Sequence, residues 1–279
     1  MHENAPHAGV GNGREMMKSG EQDRYGAAWT REELVAAFDL YCRIPFSKTK
    51  ADNPEVMDLA RLLRRSPGSV ARKLGNFGSF DPELQRRRIT GLPHVGKLDR
   101  LVWDEYHSNW NELVFEARRV RHEVFAEGES EYDDEGEVVQ PDGPSERETT
   151  RRARIHQSFF RQTVLSSYEY TCCITGLRIP ECLVASHIIP WSVGEQHRAD
   201  PRNGLCLSAT FDRLFDRGLI AVTTDLRVLV SDRLRRFGDK RVEEMVCVFD
   251  GAPIVRSRRF LPLAEHLEWH IRNVFQGEQ

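Results

Sequence analysis

Between residues 123 and 148 the chain carries eleven carboxylates against a single arginine, Arg147, with Pro141, Gly143 and Pro144 punctuating a stretch that has almost no apolar periodicity. A self-repelling run with nothing apolar to bury cannot join a packed core, so the chain must fold on either side of it. The 279 residues leave room for two modest cores. The same run explains the net charge. The whole chain sums to −3 and this segment alone to −10, which leaves +7 for the rest. The folded parts are therefore basic and suit a polyanionic partner. The expected division is a disordered tail at 1–26, a helical unit at 27–126, an acidic linker at 127–146 and a second folded unit at 147–279.

Hydrophobic residues at 39% and charged residues at 30% are those of a globular protein in water. No apolar run approaches the roughly 18 residues of a spanning helix, and residues 1–22 lack a hydrophobic signal core, which predicts a cytoplasmic protein with no membrane association. The six cysteines are then expected to be reduced.

On the N-terminal side, Thr30 followed by Glu33 forms a capping box, and Leu34, Phe38 and Tyr41 recur at helical spacing until Pro45. Asn53 and Pro54 open a second helix with Val56, Leu59, Ala60 and Leu63 inward, ending near Arg65. Ser66 and Pro67 restart a third, with Val70 and Leu74 inward, Arg72 and Lys73 outward, and Gly75 as its cap. Two short helices on a tight turn read as a helix-turn-helix-like DNA-reading unit, with an ordinary αα-hairpin as the alternative. The basic residues Arg61, Arg64, Arg65, Arg72 and Lys73 favour DNA. A further helix over 98–125 carries Trp103, Tyr106 and Trp110 at the spacing of a buried face.

On the C-terminal side, a helix from about residue 145 to 168 presents Ile155, Phe159, Val164 and Leu165. Residues 170–176 and 183–191 read as two strands, 200–205 as a turn-rich loop, 211–216 as a helix closed by Gly218, and 219–223 and 227–230 as strands. Asp212 and Asp216 share one helical face and can address one cation. As hard oxygen donors they suit Mg²⁺ or Mn²⁺ better than Zn²⁺.

The ordered set TCCITG, ASHIIPW and DPRNGLCLSATFDRLFDRGLI resembles the HNH endonucleases, the ββα-metal nuclease fold. The resemblance covers about the last 130 residues. It implies an α+β protein in which a helical DNA-binding domain precedes an HNH nuclease domain. It also implies that His187 is the general base, that Asn203 braces the loop that orients it, and that Asp212 and Asp216 are metal ligands, with Ser186 standing where the family commonly has another ligand. The paired CxxC motifs of a structural zinc are absent, so none is expected. More weakly, the N-terminal half resembles helical modules of bacterial HNH restriction enzymes.

The implied activity is metal-dependent hydrolysis of DNA to 5′-phosphate and 3′-hydroxyl ends, in a restriction role that could require modified bases. Arg161, Arg198, Arg202, Arg213 and Arg217 are candidates for flanking phosphates. The expected partner is double-stranded DNA. One such unit cuts one strand, so duplex cleavage would call for a homodimer or two binding events. Two alternatives stand beside this reading: a catalytically impaired DNA-binding regulator, and a nonspecific DNA or RNA nuclease toxin.

Overall fold

The computed structural model describes residues 26–89, 95–124 and 144–277, with the backbone alone over 144–151. Nearly all of the tail expected at 1–26, and most of the linker expected at 127–146, lie outside these residues. The fold is α+β: helices predominate, with two small antiparallel sheets of two strands each. Among the described residues no helix is long and apolar enough to cross a membrane.

The capping box forms at the start of α1 (Arg31–Arg43), where the Thr30 N–H donates to Glu33 Oε2 at 2.8 Å and the Glu33 N–H to Thr30 Oγ1 at 3.3 Å. Every residue from Glu33 to Cys42 is buried, so α1 is the central helix of its half and not an amphipathic cover. Around it pack α2 (Pro54–Leu63), α3 (Pro67–Phe80), α5 (Lys97–Tyr106), α6 (Trp110–Arg119) and α7 (Pro144–Ser167), while the short α4 (Pro82–Arg86) extends α3. Asn53 and Ser66 cap α2 and α3 as their sequence positions predict. Arg64 ends α2 in the left-handed region at φ 53°.

Two helical expectations are corrected. Gly75 does not stop α3, which continues to Phe80 because Asn76, Phe77 and Gly78 are themselves buried. The helix expected over 98–125 breaks at residues 107–109 into α5 and α6. The break lets Trp103 and Trp110 both reach Phe38, at ring distances of 5.4 and 6.3 Å, and these aromatics belong to the core as expected.

In the second half α7 serves two cores. Ile155 and Phe159 join the helical core, whereas Phe160, Val164, Leu165 and Tyr168 join the core of the sheet region. Residues 170–176, expected as a strand, form a closed turn in which the Cys172 N–H donates to Leu177 O and the Gly176 N–H to Cys172 O. The left-handed Glu169 and Tyr170 bend the chain out of any extended path. The true partner of β1 (Leu183–His187) is β2 (Gly204–Ser208), in antiparallel register with His187 opposite Gly204. β2 spans the end of the expected loop and the unassigned residues before the expected helix, and it was hidden because all five of its residues are buried and it shows no alternation.

β1 stops at His187 and does not run to Trp191. Past it, the Ile189 N–H bonds to a side chain, Asn203 Oδ1, in place of a strand neighbour. α8 (Ala209–Asp216) follows β2, and Gly218 closes it at φ 64°, where a Cβ would collide with the Val274 carbonyl. β3 (Ile220–Val222) and β4 (Val228–Val230) form within the segments expected as strands, and they pair antiparallel. After α9 (Asp232–Arg235) and α10 (Lys240–Met245), α11 (Ala264–Asn273) packs against β3, with Leu267 in the second core.

Candidate active site

The β1–β2 hairpin lies against α7. His187, the last residue of β1, stacks flat on Phe160 with ring centroids 3.6 Å apart at 8°, and Trp191 meets it edge-on at 5.7 Å. Opposite it, a Cβ at Gly204 would strike Val164 and Phe160, so glycine lets the hairpin settle onto the helix. The His187 Nε2 lies 3.1 Å from the Arg198 carbonyl. A carbonyl only accepts, so Nε2 carries the hydrogen and Nδ1 holds the lone pair. Among the described residues Nδ1 has no hydrogen-bond partner, and it is not among the polar atoms sealed from solvent. Burial lowers the ring's pKa to about 4, opposed by the Arg198 carbonyl, and the imidazole is therefore neutral at physiological pH.

Asn203, 1% exposed, holds the loop that leaves β1. Its Oδ1 accepts from the Ile189 N–H at 2.9 Å, its Nδ2 donates to Ile189 O at 3.0 Å, and its own carbonyl accepts from the Ile188 N–H at 2.9 Å. One asparagine thus replaces strand pairing for the two residues after His187.

Asp212 and Asp216 are half-buried and exposed on α8. Desolvation and then the negative charge of Asp212 push Asp216 upward, a repulsion that a shared cation would relieve. Two carboxylates match the way Mg²⁺ is commonly held, by one or two carboxylates together with water and substrate phosphate. Among the described residues no group of three or more His, Cys, Asp or Glu side chains could hold a metal. Nor does any hydrogen bond or ion pair among them join the two aspartates to His187 or Asn203. The Ser186 hydroxyl is buried without a partner.

The basic residues divide sharply. Arg65, expected to face DNA, is 8% exposed, bonded to Glu33 at 2.8 Å and to the Ala27 and Ala28 carbonyls, with its guanidinium over Trp29. Lys73, expected outward, reaches in to Asp99 at 2.8 Å. Their long stems let both charges reach buried carboxylates. Arg61 pairs on the surface with Asp58, while Arg64 and Arg72 are exposed.

In the second half, Arg202 is held by Asp200 through three contacts of 2.7–3.2 Å. Arg198 lies over Trp191 and bonds to its carbonyl and to Glu195, and Arg161 donates to Leu183 O. Arg213 and Arg217 are exposed.

Sequence reading missed Phe160, Trp191 and the Arg198 carbonyl. The consecutive pair Phe159–Phe160 was the available signal for Phe160, because neighbouring helical positions point about 100° apart and so toward different neighbours.

No curated protein matches the chain. Residues 172–223 match the family model of the HNH endonucleases, and this span contains His187, Asn203, both aspartates, the β1–β2 hairpin and α8. The chain therefore carries a domain of the HNH endonuclease family.

Proposed function

We propose that the protein is a divalent-metal-dependent DNA endonuclease in which His187 is the general base. The observation that carries this reading is the division of labour between its ring nitrogens: Nε2 is held by Arg198 O while Nδ1 has no partner among the described residues and is not sealed from solvent. Neutral His187 accepts a proton at Nδ1 from water, and the hydroxide so formed attacks phosphorus in line. The P–O bond to the 3′-oxygen breaks and the departing alkoxide takes a proton from solvent water, giving 5′-phosphate and 3′-hydroxyl ends. Asn203 keeps the loop after His187 fixed, so that the ring meets the water in one orientation. Asp212 and Asp216 are the residues that would hold Mg²⁺ or Mn²⁺, which when bound supplies positive charge against the negative charge developing on the phosphoryl oxygens.

Double-stranded DNA is the proposed substrate, supported by the net +7 outside the acidic run, and a restriction role is the proposed context. Arg64, Arg72, Arg213 and Arg217 are the candidate phosphate contacts that the fold leaves on its surface. The test is incubation of the full chain with supercoiled plasmid, modified and unmodified, in Mg²⁺ or Mn²⁺ and in EDTA. Nicking with the two metals, none in EDTA, and 5′-phosphate ends are expected. Duplex binding without cleavage under either metal would overturn the reading in favour of a DNA-binding regulator.

A further inference from the structure

Arg198 O, which receives His187 Nε2–H, and Ala199 N belong to one peptide group. The Ala199 N–H donates to Asn111 Oδ1 at 3.2 Å, and Asn111 Nδ2 donates to Glu195 O at 3.2 Å. Asn111 belongs to α6, in the helical half and outside the HNH segment. A trans peptide is planar, with its N–H and C=O pointing in opposite directions, and the described chain contains no cis bond. Fixing the Ala199 N–H on one side therefore aims the Arg198 carbonyl to the other, at the imidazole. The two bonds are also in series, and a peptide whose N–H is engaged presents a more strongly accepting carbonyl.

The rest of the loop is anchored the same way. Ala199 is fully buried in the helical core, and Asn111's second bond ties down Glu195, the other end of the loop. Asn203 secures the chain on the strand side of His187, and nothing in the HNH segment performs Asn111's task at the carbonyl.

We propose that Asn111 is a positioning residue for His187. Acting through the 198–199 peptide, it selects the tautomer with hydrogen on Nε2 and so leaves the lone pair on Nδ1. The helical half then completes the catalytic geometry of a segment whose own motif does not include it. The inference rests on the reading of His187 as general base.

The test compares Asn111→Leu, similar in size but unable to hydrogen-bond, with Asn111→Asp, which keeps an acceptor for the Ala199 N–H and loses only the donor to Glu195. Two readouts are taken on the full chain. The first is ¹⁵N NMR of the histidine rings, with the His187 signals identified by their loss in His187→Ala. The expected result is an Nε2–H tautomer in the parent and in Asn111→Asp, and a mixture with Nδ1–H in Asn111→Leu. The second is plasmid nicking, where Asn111→Leu should lose on the order of 10²-fold in kcat with little change in KM, the scale of a misaligned catalytic group. Asn111→Asp should recover most of that loss. If the leucine variant fails to fold, Asn111→Ala takes its place.

A folded Asn111→Leu with the parental tautomer would overturn the proposal even if nicking fell. If instead His187→Ala nicked as well as the parent, the general-base reading would fail, and the tautomer comparison would still decide what Asn111 does.

Discussion

His187 and His270 sit in surroundings that are nearly copies of each other. His187 stacks on Phe160 at 3.6 Å and 8°, and His270 stacks on Phe215 at 3.7 Å and 7°. Each places Nε2 3.1 Å from a backbone carbonyl, Arg198 O in one case and Phe215 O in the other, and burial lowers the pKa of each to about 4. They part at the second nitrogen. Nδ1 of His270 is sealed and unpartnered, whereas Nδ1 of His187 is open. His270 therefore fastens α11 to the last turn of α8, and of the two rings it is His187 whose second nitrogen is left for a water molecule. A depressed pKa and a stacked ring identify a buried histidine. Access to the lone pair is what the proposed base has and the structural histidine lacks.

The largest effect expected from this contrast is on turnover. His187→Ala should lower plasmid nicking about 10²- to 10⁴-fold, the usual loss of one general base, with duplex affinity unchanged in a gel shift. His270→Ala should do the reverse, keeping turnover per folded molecule and losing about 2–5 kcal/mol of stability in a denaturant melt, as large-to-small core changes do. Exchanged phenotypes would mean that the two rings had been assigned backwards.

Acid should separate the rings next. Each has a folded pKa near 4, below the ordinary value of 6.5, so between those limits the unfolded chain binds more protons. The stability that each neutral ring contributes is complete above pH 6.5 and is lost as pH falls toward 4, by up to about 3 kcal/mol for His270. His270→Gln should flatten that part of the stability curve, measured by melts at pH 7, 6 and 5. Nicking per folded molecule should not fall through pH 6.5, because His187 stays neutral down to about pH 4. A drop centred at 6.5 would mean that the base is an exposed histidine elsewhere.

A smaller effect tests whether the structural histidine reaches the proposed metal ligands. Asp216 directly follows Phe215, whose carbonyl His270 grips. Asp216→Ala should raise the Mg²⁺ or Mn²⁺ concentration needed for half-maximal nicking. His270→Ala should raise it less, through loosening of the last turn of α8. Equal requirements in both variants and the parent would place the cation away from Asp216.

The smallest effect applies the same division, open against enclosed, to the cations. Arg72→Ala should reduce the salt slope of duplex binding by about 0.9, the release expected for one phosphate contact. Lys73→Ala should leave that slope alone and cost stability instead, because it removes the only cation paired with the buried Asp99 among the described residues, leaving Asn76 Nδ2 and the Gly96 N–H as its donors. An unchanged slope in Arg72→Ala would remove α3 from the DNA-binding surface.

The residues of the candidate site were legible because the motif supplies them in order, and β1, α8 and the caps of α1, α2 and α3 follow local rules. What escaped was set by tertiary packing. β2 has no alternation because both of its faces are covered, and residues 170–176 have strand-like composition but bend at two left-handed positions. Arg65 and Lys73 carry the same formal charge as Arg64 and Arg72, and only the location of Glu33 and Asp99 in space distinguishes them. The Arg198 carbonyl could not be found by any side-chain pattern, since every residue has one.

Arg259 adds an element of timing. Fully buried, it donates to the carbonyls of Tyr41, Cys42 and Ile44 and to Ser166 Oγ, closing the C-terminal end of α1 from the far end of the chain. Those carbonyls leave the ribosome more than two hundred residues before the guanidinium that satisfies them. A nascent helical half must therefore wait, with the C-terminal carbonyls of its central helix unsatisfied and Ile155 and Phe159 yet to arrive, until residue 259 has been made. A chain truncated before residue 259 would keep every residue of the HNH motif and still lack the piece that closes its first helix.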